Sequence, residues 1–434
     1  MESKSRIISS TSNWPSYFEL RTGGSIMLER GGRSWNIELI SVRVEQAHDW
    51  RAGAIPGNKM IREAKAMLKI DGKQCLLRFA PFEPPISFGG LRLHLDTIKA
   101  LNAIDASAKE GMHYDARLAA IEESAPWTPI VFRFPVPNHA WRSNPCYGAW
   151  GALVFGESSR YCDGFNIGVA EDAHTAVAAL AGSVKSIHKQ RGSKDELSTI
   201  VLEHLHGVKT IYGNIDPSSL PFNLAEGSAV EPGDKLGKVS LKNSPPHLHF
   251  GLEIEDVRVN PYPALVESYL RETQESALPS AGGILFCQPG EKLLLDSTLT
   301  VLHPERKITK VSWLLSQGEE KSGPQATVSY SEPGFHCEEL RLLLDNGEEY
   351  REAVQVRVFK PGVKGQPGFP GWLAHSPTKG LAPKQEVSFR LIAPDGFTFD
   401  SLSFGDGSSE SNPKPEAAHS YEKPGLYTVE AKGA

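Results

Sequence analysis

For most of this chain the apolar and polar positions alternate with a period of two. Trp35-Asn36-Ile37-Glu38-Leu39 and Leu91-Arg92-Leu93-His94-Leu95 are clear cases, and such runs predict strands with one face buried. Residues 66–79 read as a hairpin turning at Asp71-Gly72, a dipeptide that accepts the left-handed backbone of a two-residue turn. Two stretches break the alternation. Residues 97–123 are richer in Ala, Leu, Ile and Lys and read as a helix interrupted at Gly111. Residues 264–275 read as a second helix, entered through Asn260-Pro261-Tyr262-Pro263. The expected fold class is therefore mainly β, with many short strands and turns.

The pattern divides into a β-rich N-terminal unit over residues 1–140, a middle block over 141–275, and two smaller β units over 282–360 and 361–434. The length of 434 residues asks for about three domains at roughly 150 residues each, and the pattern gives four. The 40 Gly and 31 Pro fall in the turns between strands. A net charge of -6, with acidic and basic residues interspersed, does not indicate a nucleic-acid partner or an anionic membrane surface. No run approaches the roughly 18 apolar residues of a membrane span. Lys4 and Arg6 precede only Ile7-Ile8 before a Ser/Thr run, so a secretory leader is not visible, and the protein is intracellular or its leader has been removed. The 5 cysteines are too few for a disulfide scaffold. Cys287 with Cys337 is one candidate pair, two reduced core thiols the other reading.

The chemistry sits in the middle block. In order it contains Tyr161-Cys162-Asp163-Gly164-Phe165-Asn166-Ile167-Gly168, then Thr210-Ile211-Tyr212-Gly213-Asn214-Ile215, then Pro246-His247-Leu248-His249-Phe250-Gly251. These phrases, with Leu202-Glu203-His204, Val230-Glu231-Pro232-Gly233-Asp234 and Asn260-Pro261, resemble the lysostaphin-type (LytM-like) zinc endopeptidases, whose antiparallel β fold is the duplicated hybrid motif. The resemblance covers about residues 147–265. It implies a zinc held by an H-x-x-x-D phrase and the second His of H-x-H, with the first His of H-x-H and a His of the tyrosine phrase acting on water and oxyanion. Three ligands and a water are what a catalytic zinc requires.

Carried over, the resemblance assigns His249 as metal ligand and His247 as catalytic residue. Cys162 stands at the other ligand His, Asn166 at the ligand Asp, and Asn214 at the second catalytic His. Asn offers a neutral oxygen in place of a carboxylate, so zinc is expected to bind weakly or not at all. Loss of a general acid or base removes a factor of about 10² to 10⁴. The expectation is a degenerate peptidase homologue that binds a glycan or peptidoglycan-like ligand without hydrolysis. His174, and the second H-x-H of His204 and His206, are weighed as rescuing ligands, with packing the simpler role for each. Asp163 is expected on the opposite face from Cys162 by strand alternation.

Two further readings stay open. Trp141-Arg142-Ser143-Asn144-Pro145-Cys146-Tyr147-Gly148-Ala149-Trp150 is dense in rings and polar groups, and Trp141, Arg142, Asn144 and Trp150 are candidate substrate contacts, because rings stack on sugars. A lyase of an acidic polysaccharide would use His247, Tyr161 or Tyr212 as base and Asn166, Asn214 or Arg142 near the uronate. Residual zinc endopeptidase activity on wall peptides is the other. Phe404-Gly405-Asp406-Gly407, His419-Ser420-Tyr421 and Pro424-Gly425-Leu426-Tyr427-Thr428-Val429 resemble the polycystic-kidney-disease (PKD) type of immunoglobulin-like sandwich. That resemblance implies an extracellular or cell-surface spacer with nothing catalytic. Asp406, flanked by glycines, reads as a turn residue ahead of a calcium ligand, and with only a few residues after Val429 the last edge strand is expected to be truncated.

Overall fold

The computed structural model describes residues 6–433 apart from 11, 49–58, 105–111, 141–152, 155–159, 171–173, 190–196, 242–245, 283–284, 361–371 and 393–397. The N-terminal part is built from two sheets. One orders Arg6–Ser9, Ser25–Arg30, Arg33–His48, Lys59–Ile70 and Lys73–Phe79; the other orders Ser16–Leu20, Ala116–Glu122, Leu91–Ile98 and Ile86–Phe88. The hairpin expected over 66–79 is present, with Ile70 opposite Lys73 and positive φ at Asp71 (47°) and Gly72 (85°).

The helix expected over 97–123 is corrected. Among the described residues only Lys99–Ile104 is helical, and Ala116–Glu122 is a strand between Ser16–Leu20 and Leu91–Ile98. Burial on both faces overrides the helical preference of alanine. Leu118 and Ala120 join the N-terminal core, while Ala119 and Ile121 join the core of the middle block.

That middle core runs across the expected boundary at 140. Trp14, Phe82, Trp127, Phe132 and Phe134 pack into it with Phe165, Tyr212, Phe250 and Tyr262. Phe82 meets Phe165 and Tyr262 edge-on at 5.7 and 5.6 Å between ring centroids. A buried polar link reinforces the junction. Asp96, with no exposed surface, accepts from Asn260 N at 2.7 Å and from Arg117 Nε at 2.6 Å.

The middle sheet orders Phe165–Gly168, His247–Ile254, Val208–Ile215, Ser198–Glu203, Gly182–Lys189 and Ala229–Val230, with Val257–Val259 also on His247–Ile254. The helix Tyr262–Thr273 stands close to the predicted one and buries Leu265, Val266 and Tyr269. Beyond it, a sandwich packs Trp313, Leu340 and Val356, and a last one packs Phe389, Leu402 and Phe404. In that last sandwich Glu430–Gly433 pairs with Phe399–Ser403. Asp406 Oδ1 accepts from Ser408 N at 3.0 Å, as a turn residue does.

The candidate disulfide is corrected too: Cys287 and Cys337 are both thiols. They flank opposite sides of Glu349–Val358, Cys287 level with Val358 and Cys337 level with Gln355. Two strand spacings of about 4.8 Å and a three-residue offset exceed the roughly 7 Å Cα limit of a disulfide. No helix among the described residues is long and apolar enough to cross a membrane.

Candidate functional site

Three strands bring the matched positions together. Phe165–Gly168 is the edge of the middle sheet, and its Asn166 lies opposite His249, its Gly168 opposite His247. On the other side of His249 stands Gly213. Glycine is required on one flank of this ring, at 164, and the other flank, at 213, is tight. A Cβ at Gly164 would come within 2.5 Å of Phe250 O and 2.9 Å of His249 Nε2, and one at Gly213 within 3.2 Å of His249 Cβ.

His249 is held from both ring nitrogens. Nδ1 lies 2.8 Å from Asn166 Oδ1, and Nε2 lies 3.4 Å from Asp163 Oδ1. Cys162 Sγ donates to Gly164 O at 3.3 Å and lies 4.0 Å from Asn166 Oδ1; its side chain also bonds the His249 ring. Burial alone would lower the imidazole pKa, but the bonds to Asp163 and Cys162 outweigh it and raise His249 to about 9. The same contact with His249 holds Asp163 down at about 2.

Asp163 was expected on the far face, and the structure corrects this. Arg160–Tyr161 and Phe165–Gly168 are separate strands, with a bend at Asp163 and Gly164 between them. Alternation does not carry across a bend. The Asp-Gly pair is itself a turn signal, and that signal could have placed Asp163 beside His249 from the sequence.

The remaining candidates divide. Asn214 sits at a positive φ of 65°, is 6% exposed and donates its amide to His247 O at 3.2 Å. His247 is partly exposed beside it. Tyr212 does not fit a catalytic base: it has no exposed surface, faces Phe250 on the core side of the sheet, and its oxygen accepts from Ala179 N at 2.7 Å. Burial raises its phenol well above the ordinary value. The backbone of Tyr161 pairs with Leu153. Trp141, Arg142, Asn144 and Trp150 lie outside the described residues.

The other histidines have local roles. His204 is buried between Ala181 O (2.8 Å) and Thr210 Oγ1 (2.7 Å). His206 takes the left-handed turn position after it, at φ 60°. His174 accepts from Val239 N through its carbonyl.

This antiparallel sheet sets the H-x-H strand against an edge strand that follows a Gly turn, and it lies within a domain of the peptidase class. The chain carries a peptidase family M23 domain over residues 160–261 and a PKD domain over residues 372–434. Similar solved structures include a putative glycyl-glycine endopeptidase LytM from Ruminococcus gnavus, 21% identical over 32% of this chain and 61% of that one, TM-score 0.25. A zinc-containing peptidase from Vibrio cholerae is 16% identical over 53% and 56%, TM-score 0.24. Lysostaphin is 14% identical over 50% and 91%, TM-score 0.25. No curated protein matches the chain.

Zinc is the metal this family implies. Among the described residues no group of three or more His, Cys, Asp or Glu side chains is placed to hold a metal ion, so the family's own donor set is not reproduced. His249 Nδ1 and Asn166 Oδ1, 2.8 Å apart, form an ordinary hydrogen bond when the ring N–H donates to the amide oxygen, and the Cys162 thiol donates to Gly164 O. A thiol, an amide and an imidazole tied up in hydrogen bonds stand where the family has two imidazoles and a carboxylate, and this donor set does not fit its zinc.

Proposed function

We propose that the M23 domain binds peptidoglycan-like peptide or glycan at the cell surface and does not turn it over at a peptidase's rate. The observation that carries this reading is Asn214. It occupies the position of the family's second catalytic His, and an amide neither takes up nor gives up a proton as a general acid or base near neutral pH. Its NH₂ is also committed to His247 O. His247 remains, partly exposed, as a hydrogen-bonding contact for a bound carbonyl. The PKD domain and the preceding sandwich would then act as spacers that present this domain.

The test is to incubate the full chain with purified bacterial cell-wall sacculi, measuring retention in the pellet and soluble peptide release. Retention with no release above a His247→Ala control is expected. Release at rates comparable to lysostaphin would overturn the reading, as would unsaturated sugar products absorbing in the ultraviolet. Asn214→His should increase any residual release about 10²-fold or more if that position limits turnover.

A further inference from the structure

We propose that the cleft between the M23 domain and the PKD sheet is a peptide subsite, so that the PKD domain forms part of the binding surface and is not a spacer alone. The inference rests on the binding reading above, and it narrows the ligand to a short, uncharged peptide segment with small side chains. The cleft has a volume of about 410 Å³, within the roughly 300–1,000 Å³ of ordinary ligand sites, which favour domain boundaries. It begins where the site already described ends. Val169 follows Gly168, the strand partner of His247, and Val169 N donates to Pro246 O at 3.0 Å. Both Val169 and Pro246 line the cleft.

The two walls differ in chemistry. The base belongs to the M23 domain and is apolar: Val169, Ala170 and Pro246 are buried, and the partly buried Leu241 completes it. The facing wall is the outer surface of the PKD sheet formed by Trp372–Ser376, Glu386–Ile392 and Glu416–Ser420. Val387, Phe389 and Leu391 fill the sandwich core, so strand alternation turns Ser388 and Arg390 outward. Opposite Ser388 stand Ser376 on one side and Ala418 on the other. These three small residues make a flat row on which extended chain can lie, with two hydroxyls to meet its amide groups. The sheet is seated on the M23 domain just beyond this row. Thr378 Oγ1 accepts from Ala140 N at 3.4 Å, and Lys379 Nζ reaches Glu275 Oε1 at 2.9 Å and lies 5.0 Å from the centre of the Tyr269 ring.

The lining selects the occupant. The only phenyl, phenol or indole ring among the described lining residues is that of Phe389, 4% exposed within the sandwich core, so no such face is offered to a sugar. Arg390 and Glu416 lie 3.6 Å apart across their two strands and offset each other's charge, which gives no preference for an ionised ligand. Methyl-sized side chains suit the apolar base, and burying them there is favourable. A ligand that presents a carbonyl to His247 therefore continues into the cleft as neutral peptide with small side chains.

The test uses the full chain with cell-wall sacculi before and after removal of their peptides, and N-acetyl tetra-alanine amide as soluble competitor. Ser388→Trp and Ala418→Trp fill the cleft from exposed positions, where the added ring leaves the sandwich core untouched. Glu410→Trp, exposed on the other PKD sheet, is the control. The wild type should be retained by intact sacculi and displaced by the tetra-alanine. Each cleft variant should weaken retention about tenfold or more at an unchanged melting temperature, and Glu410→Trp should not. Slower amide hydrogen exchange at residues 374–376 of the wild type on adding the tetra-alanine reads the same contact with no substitution. Undiminished retention of both cleft variants overturns this inference alone and leaves the PKD domain a spacer. Equal retention by peptide-free sacculi overturns it as well, since the ligand is then a glycan. A wild-type chain retained by neither preparation overturns the binding reading of the M23 domain and this inference together.

Discussion

Single residues show how far local surroundings can displace ordinary chemistry, and Glu83 is the sharpest case outside the site. Its Oε2 is buried without a hydrogen-bond partner, 3.9 Å from Arg78 Nε. Burial pushes its carboxyl up to about 7, against the pull of Arg78. Because the folded pKa lies above the ordinary carboxylate value, folding favours the protonated acid. Its contribution to stability is full below about pH 4.5 and is lost as pH rises through about 7. Glu83→Gln should therefore flatten the fall in melting temperature between pH 5 and 8, gaining roughly 2–3 kcal/mol over the wild type at the alkaline end. Urea denaturation at the two pH values measures it; parallel curves would refute it. None of this was legible in the sequence, where Glu83 is one acidic residue between Phe82 and Pro84. By contrast His249, Asn166 and Cys162 were legible as a group, because ordered phrases fix them. Asp163 was misplaced because period-two reasoning ignored its own glycine neighbour.

At the scale of elements, pairing partners decide more than intrinsic preference. The hairpin at Asp71-Gly72 could be read in advance, since turn chemistry and alternation agree there. Ala116–Glu122 could not, since two neighbouring strands and two cores override its composition. Tyr212 was ambiguous for a related reason: the sequence shows a tyrosine in a motif, while only the register, Tyr212 opposite Phe250 and Gly213 opposite His249, tells which face it takes. The turn that joins Arg160–Tyr161 to Phe165–Gly168 carries an element-level prediction. Gly164→Ala would drive a methyl against Phe250 O at 2.5 Å and the His249 ring at 2.9 Å. The expected cost is about 1–3 kcal/mol, together with displacement of the His249 ring signals in NMR spectra. An unchanged melting temperature with unmoved ring signals would contradict it.

For the whole molecule, the four-part division read from the sequence becomes a different one in space. Residues of the N-terminal unit and of the M23 domain share a core, and Asp96 ties them through Asn260 and Arg117. Removing one partner of a buried pair costs about 3–5 kcal/mol, so Asp96→Ala should lower the melting of both parts together. Calorimetry should show one transition covering them, shifted as a unit. A variant in which the N-terminal sheets melt separately from an unshifted M23 domain would argue for independent units. The described contacts of the C-terminal sandwich with the rest include Lys379 Nζ to Glu275 Oε1 at 2.9 Å and Thr428 Oγ1 to Glu339 Oε2 at 2.6 Å.

The strand Ala116–Glu122 also bears on how such a protein can evolve. A wall shared by two cores cannot be cut without exposing both, so recombination that exchanges the N-terminal sheets alone leaves an apolar face on each fragment. The M23 domain and the sheets before it must be inherited as a block. The last sandwich, whose described ties to the rest include the polar contacts of Lys379 and Thr428, is the part more readily gained, lost or replaced, while the M23 domain and its sheets stay whole.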